Sequence, residues 1–329
     1  MQTREDLTAT TRGYWQARAI LTGVELGVFR VLGRRKFSAK VIAKRCGSDP
    51  RATEMLLDAL VGLDLLEKTA TAYAIKKAML PYLTDGPESA LGMMAHHAQL
   101  WEAWDRMTEV VTTGKPVRQA PTFRKGLDDA RRFTYAMRDG AIRFAPAVAA
   151  EVNLKGRRHL YDLGGGPGIY SVEMARRWPD LRVTVVDLPN VTKVGREIVD
   201  GYADVRDRVA FLACDFGSDP LPKGADAVFL SHVIHGEPEA GVRSMFAKVA
   251  AILPKGGLFI VRDFFLSPDR TQPPAASLFS LNMLVATRGG RSYSAKECEA
   301  WLRKVGFAKV TYRRSKAAPE TGYLIARKK

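Results

Sequence analysis

The run Asp162-Leu163-Gly164-Gly165-Gly166-Pro167-Gly168 constrains this chain more than any other stretch. It follows the strand-like His159-Leu160-Tyr161 and precedes a helical pattern from Ile169 to Trp178. Strand, glycine loop and helix in that order open a nucleotide-binding α/β sheet. The glycines let the backbone turn tightly and let a ligand lie against bare main chain. The carboxylate just ahead of them narrows the choice of ligand. Asp162 would repel a pyrophosphate and attract an ammonium group. A dinucleotide loop of the form G-x-G-x-x-G also fails here. Counted from Gly164 and Gly166, its third glycine falls on Ile169, and Pro167 interrupts the turn. The loop therefore predicts S-adenosylmethionine (SAM) rather than NAD, with Gly164 and Gly166 bared for it. No phosphate-loop, H-E-x-x-H or G-x-S-x-G pattern occurs.

From His159 onward, strands alternate with helices. Strand candidates are 159–162, 183–187, 209–213, 227–231 and 258–263, with a helix over 238–253 between the last two. Two final strands, 308–313 and 322–327, read as a hairpin. The fold class is α/β: a Rossmann-like, mostly parallel sheet covered on both faces, closed by an antiparallel C-terminal hairpin. Ligands bind such sheets beyond the carboxyl ends of the strands. Asp162, Asp187 and Asp215 stand at three successive ends. Asp187 can accept both ribose hydroxyls and Asp215 the adenine amino group. Leu188 and Phe216, which follow those acids, can sandwich the adenine ring. Ser231, at the end of the fourth strand, completes the cofactor set. Any one of these acids alone reads as a helix cap or an exposed turn; their recurrence does not.

The N-terminal third is helical. Residues 17–32 have helical periodicity, Ser38 reads as the cap of a short helix over 39–45, and Pro50 opens another that carries Leu56, Leu57, Leu60 and Val61 on one face. Glu67 then leads to strand-like 72–75, which completes a winged helix-turn-helix order. Helical stretches at 89–113 and 127–152 follow, with a break at 114–116 and a kink or break at Pro146. The expected domains are 1–105, winged-helix, and 106–329, catalytic, with connecting helices over 106–152 and the sheet from 153. No apolar run approaches the roughly 20 residues that cross a bilayer. Cys46, Cys214 and Cys298 are isolated, so neither a disulfide framework nor a zinc knuckle is expected, and a cytoplasmic location fits. The net charge of +16 invites a nucleic-acid reading, but residues 1–105 hold 14 basic and 12 acidic residues, and the rest hold 37 and 23. The excess lies on the catalytic part, as a solvated basic surface or as a field for an acidic partner. The would-be recognition helix 51–62 carries one basic residue, Arg51, against Glu54 and Asp58, which disfavours a DNA-binding regulator.

The runs Asp162–Gly168, Val185-Val186-Asp187-Leu188-Pro189, Cys214-Asp215-Phe216, Val233-Ile234-His235, Leu253-Pro254-Lys255-Gly256-Gly257 and Asn282-Met283-Leu284 with Gly289-Gly290 resemble the SAM-dependent O-methyltransferase family. That family includes the plant caffeate and chalcone enzymes and bacterial natural-product enzymes. The resemblance covers nearly the whole chain and implies a homodimer formed through the N-terminal domain. It also implies a catalytic histidine at His235, flanked by a carboxylate at Asp263. The family's His-Asp-Trp triplet reads His235-Gly236-Glu237 here, and the second flanking carboxylate falls on Ser292.

His235 is thus expected to deprotonate an acceptor hydroxyl, Asp263 to steady the imidazolium, and S-adenosylhomocysteine to be the product; no metal is expected. Met137, Phe133, Trp101, Phe279 and Met283, with Trp104, are candidate walls for a flat aromatic or polyketide-like acceptor, although each also suits a core. His96 and His97 are adjacent on a helix and cannot form an i, i+4 metal pair. The departures at 236, 237 and 292 leave a carbon or nitrogen acceptor open, and a SAM-binding protein without activity is a further alternative.

Overall fold

The computed structural model describes residues 2–117, 124 and 126–329. The chain divides into two compact units, Met1–Trp101 and Glu102–Lys329.

The first unit opens with α1 (Arg4–Glu25) and α2 (Val28–Leu32), which replace the single helix expected over 17–32. Gly27 separates them in the left-handed region at φ 73°, where glycine carries no Cβ penalty. A capping box between Thr3 and Asp6 starts α1 well before its apolar stripe begins. Next come α3 (Ala39–Cys46) and α4 (Pro50–Gly62). Asp49 caps α4 by accepting from the Ala52 amide at 2.8 Å. Ser38 occupies the equivalent position at α3, but its side chain makes no capping bond, contrary to expectation. Strands β1 (Leu66–Lys68) and β2 (Tyr73–Ile75) pair antiparallel, and α5 (Leu80–Leu83) follows. Val28, Phe29, Leu32, Ile42, Leu57, Leu60 and Tyr73 form one buried core, so the winged-helix order is realised.

Helix α6 (Leu91–Asp105) runs across the boundary between the units and is followed by α7 (Met107–Thr113), α8 (Leu127–Ile142) and α9 (Ala145–Glu151). Pro146 lies in the first turn of α9, where its missing N–H costs nothing, so the expected interruption falls just ahead of it.

The catalytic unit then alternates: β3 (His159–Leu163), α10 (Ile169–Arg177), β4 (Arg182–Asp187), α11 (Pro189–Val199), β5 (Val209–Ala213), β6 (Ala227–Ser231), α12 (Glu239–Ile252) and β7 (Leu258–Asp263). Helices α13 (Pro274–Ala286) and α14 (Ala295–Lys304) precede the hairpin β8 (Phe307–Arg314) and β9 (Gly322–Lys328). The seven-stranded sheet has the order β5-β4-β3-β6-β7-β9-β8, parallel through β7 and antiparallel at the hairpin. Every residue of β6 and β7 is buried, as parallel strands covered on both faces require. One core, with Val228, Leu230, Phe246, Phe259 and Val261, fills the α12 and α14 side. A second, with Leu160, Val172, Val185, Phe229 and Ile260, fills the α9 and α10 side. The chain order reverses between β3 and β6, and the glycine loop lies at that switch point.

Candidate active site

Gly164 and Gly166 hold positive φ angles of 68° and 52°, so the loop after β3 folds back as the glycine pattern predicts. A Cβ on Gly164 would fall 2.6 Å from Val233 Cγ2, with the Phe216 ring next nearest at 3.5 Å. The loop backbone is thus pressed against Val233, with Phe216, one of the two residues expected to hold a nucleobase, at van der Waals distance beside it.

Asp162 lies deeper than its sequence position suggests. It is 1% exposed; Oδ2 accepts from Ser171 Oγ at 2.6 Å, and buried Oδ1 has no hydrogen-bond partner among the described residues. Burial pushes its carboxyl up to about 7, against the Ser171 bond and with help from nearby Asp187. Asp187 accepts from the Gly166 amide at 2.9 Å and from the Leu188 amide at 2.7 Å, which locks the carboxylate to the loop. Burial pushes it up to about 6, opposed by those two amides. Asp215 is not free to wait for an adenine. Arg124 donates to it at 2.8 Å, and that bond holds its carboxyl below the usual range.

At the neighbouring strand ends, His235 sits in a short 3-10 turn after β6, and Asp263 is the last residue of β7. His235 Nδ1 lies 2.7 Å from Asp263 Oδ1, which also accepts from the Phe264 amide at 2.8 Å. Burial raises the Asp263 carboxyl, but His235, His232 and the amide outweigh it and hold the group below its ordinary range. The expected pair is therefore assembled. Ser292 takes no part in it: the residue is 1% exposed, and its hydroxyl donates to the Ala276 carbonyl at 3.0 Å. An aromatic edge meets the imidazole, with Phe279 T-shaped on His235 at 4.7 Å and Phe264 stacked on Phe279 at 4.1 Å. Met283 lies one turn beyond Phe279 on α13 and is buried.

The other candidates lie on α6 and α8. Phe133 and Met137 are one turn apart on α8 and half-buried. Trp101 belongs to the first unit, where the Arg18 guanidinium lies 5.6 Å from its ring centroid. Trp104 donates from Nε1 to Asn282 Oδ1 at 2.9 Å. Sequence reasoning missed Arg124, Phe264, His232 and Arg262. Of these only Arg262 gave a signal, as a charge within the apolar run Leu258–Val261.

The donor set fits SAM: an unsatisfied buried carboxylate oxygen for an ammonium, a second carboxylate fixed by loop amides for a ribose, and apolar side chains for a base. It does not suit a metal, although ligand atoms of His232, His235 and Asp263 lie within 4.8 Å of one another. The His232 ring nitrogen is met by the Arg262 guanidinium and that of His235 by Asp263. An ion there would displace both bonds and sit beside a buried cation.

The chain matches the O-methyltransferase domain family over residues 118–308 and the O-methyltransferase dimerisation domain over 9–78. It is 33% identical to a 3-hydroxy-5-methyl-1-naphthoate 3-O-methyltransferase of Streptomyces sahachiroi, covering 92% of this chain and 89% of that one. It is 31% identical to the tetracenomycin polyketide synthesis 8-O-methyl transferase TcmO of Streptomyces glaucescens, over 93% and 91% of the two chains. The solved structure of the mitomycin 7-O-methyltransferase MmcR superposes with a TM-score of 0.85 at 26% identity, covering 99% of this chain and 97% of that one. With a glycine loop, three strand-end carboxylates and a histidine–aspartate pair on the same sheet, the chain belongs to the SAM-dependent O-methyltransferase family.

Proposed function

We propose that this enzyme methylates a hydroxyl of a small, flat aromatic acceptor of the hydroxynaphthoate or polyketide kind, with His235 as general base. The 2.7 Å contact between His235 Nδ1 and Asp263 Oδ1 carries the reading. An ionised Asp263 accepts a hydrogen bond from Nδ1–H, which leaves the lone pair on Nε2. A phenol of pKa about 10 is mostly protonated at neutral pH, so a base that takes its proton raises the reactive fraction. Asp263, held ionised and buried, stabilises the imidazolium that results. Phe264 and Phe279 keep water from the ring and offer faces to an aromatic acceptor. The substrates named for the naphthoate and tetracenomycin relatives support that acceptor class.

When bound, SAM supplies a methyl group on a positively charged sulfur. Asp162 would meet its ammonium, Asp187 its ribose hydroxyls, and Asp215, shared with Arg124, its adenine amino group. Leu188 and Phe216 would flank the base, with Gly164, Gly166 and Ser231 lining the path. Phe133, Met137 and Met283 extend the acceptor wall, and the dimerisation-domain match over residues 9–78 supports a homodimer formed through the N-terminal unit.

The test is His235→Ala assayed with hydroxynaphthoate acceptors. Turnover falls by roughly 10²- to 10⁴-fold while S-adenosylhomocysteine still binds. Unchanged turnover would remove His235 from the chemistry, and methylation of an amine but no hydroxyl would overturn the acceptor assignment.

A further inference from the structure

Arg262 is 2% exposed, yet no carboxylate pairs with it among the described residues. Its Nη1 meets three neutral groups: Tyr170 Oη at 3.2 Å, Ser231 Oγ at 3.4 Å and the His232 ring nitrogen. Its Nε is buried and has no partner among the described residues. Burial, then the charge of Arg262, hold His232 well below its ordinary pKa, so the imidazole offers no balancing anion. A buried guanidinium without an anion is costly, and folds keep one where a ligand supplies the missing charge.

Its neighbours say where that ligand lies. Tyr170 is in the first turn of α10, directly after the glycine loop. Ser231 ends β6, the strand beside the loop strand, and His232 directly follows it. Sheet register relates Arg262 to Asp162. Ser231 pairs with Arg262, Phe229 pairs with Asp162, and residues 229 and 231 of one strand share a face. Asp162 and Arg262 therefore rise from the same face, at the same end of the sheet, with one strand between them. Neighbouring strands are about 5 Å apart, so the two positions lie roughly 10 Å or a little more apart, a gap that the two side chains and the amino-acid end of a ligand between them can span. Both groups are buried, opposite in charge, and each leaves one polar atom unsatisfied.

We propose that Arg262 is the receptor for the carboxylate of the cofactor's amino-acid end, so that Asp162 and Arg262 together recognise the zwitterion. The proposal rests on the SAM reading above and adds a residue on a different strand from any assigned there to the cofactor. His232, held at φ 57°, turns back onto the guanidinium and acts as its positioning residue.

Calorimetry on the full chain tests it, with two ligands. One is S-adenosylhomocysteine; the other is 5′-methylthioadenosine, which keeps the nucleoside and thioether but lacks the amino-acid end. Arg262→Met weakens S-adenosylhomocysteine roughly 30-fold or more, while 5′-methylthioadenosine stays within about threefold of the unmodified protein. Equal weakening of both ligands, or of neither, overturns the proposal. Failure of the unmodified protein to bind S-adenosylhomocysteine sinks the SAM reading instead. If Arg262→Met does not fold by circular dichroism, Arg262→Lys and decarboxylated S-adenosylhomocysteine take over. The unmodified protein then prefers the carboxylated ligand by about 30-fold or more, and the lysine variant narrows that preference. A preference unchanged by the lysine variant refutes the assignment.

Discussion

Gly195 offers a sharp test of how the cofactor loop is held. It lies on α11, and a Cβ built there would fall 2.5 Å from the Gly166 carbonyl oxygen and 2.5 Å from Phe211 Cε1. Ordinary carbon contacts lie near 3.5–4.0 Å, so helix and loop would have to part by about 1 Å. Two effects oppose each other in Gly195→Ala. Helix propensity favours alanine by about 1 kcal/mol. Overpacking a tight contact costs about 1–3 kcal/mol. The second wins here because both near atoms are confined: one is backbone, and the other belongs to a half-buried ring on β5. With overpacking at the upper end of its range, about 2–3 kcal/mol, because both atoms are confined, the net loss is about 1–2 kcal/mol, or a fall of roughly 2–8 °C in melting temperature for a chain of this size. The same displacement moves the Gly166 amide, which donates to Asp187 at 2.9 Å, so S-adenosylhomocysteine affinity falls as well. Differential scanning calorimetry with and without that ligand reads both effects. Gly62→Ala is the control, since nothing lies within 4 Å of its added Cβ, and it leaves ligand affinity unchanged. A Gly195→Ala protein that melts no lower and binds the ligand equally well would show that this contact does not set the loop.

Two other measurements address the carboxylates. Asp162 and Asp187 stand at about 7 and about 6 in the free protein, because burial favours their neutral forms. A ligand ammonium needs Asp162 ionised, so affinity for S-adenosylhomocysteine is full above about pH 7, falls about tenfold per unit below it and steepens below about 6, with protons released on binding. A flat profile from pH 5 to 8 would remove Asp162 from the ligand. Asp263→Asn keeps the shape of the Asp263 side chain but not its charge, so turnover drops roughly 10²-fold or more while S-adenosylhomocysteine binds as before; unaltered steady-state turnover would refute the Asp263 role.

The sheet was legible because its strands are apolar runs of strand length between turn signals. Ala227–Ser231 and Leu258–Asp263 were read with their true ends, since both faces of β6 and β7 are buried. Periodicity failed where burial is absent or where apolar residues lie on every side. The first half of α1 is exposed, so its residues follow no apolar stripe; only the Thr3–Asp6 capping box marks its start. Helix α13 is apolar on nearly every side and gives no helical period. Helix α14 announces itself through Ser294 and Glu297, a capping box that spacing alone reveals. In the site, the acids at strand ends were visible because strand ends are. What each acid touches was not. That Asp162 turns inward to Ser171, that Arg124 reaches Asp215 from 91 residues away, and that Arg262 lacks an anion all depend on contacts between distant segments.

The distribution of polarity along these strands explains why one fold can be stable and still hold reactive groups. In β7, Leu258 to Val261 are buried and apolar; the charges come only in the last two residues, Arg262 and Asp263. In β3, Leu160 and Tyr161 pack before Asp162 appears. In β6, four buried apolar residues precede Ser231. Burial of each such apolar side chain contributes about 1.5–3 kcal/mol, and these residues lie in the middle of the sheet, where ladder bonds are complete. At the carboxyl ends the ladder stops and the first turns of helices offer free amides, so polar side chains find partners there that mid-strand positions lack. The Asp187 carboxylate takes two amides there, from Gly166 in the glycine loop and from Leu188 at the N-cap of α11. Asp162 Oδ1, Asp263 Oδ2 and Arg262 Nε find no partner among the described residues, and each unmet atom lowers the stability of the free protein. Those atoms border the surface on which ligand and acceptor are proposed to lie. A ligand that satisfies any of them therefore gains affinity from a desolvation cost the fold has already met, without having to order the groups that receive it.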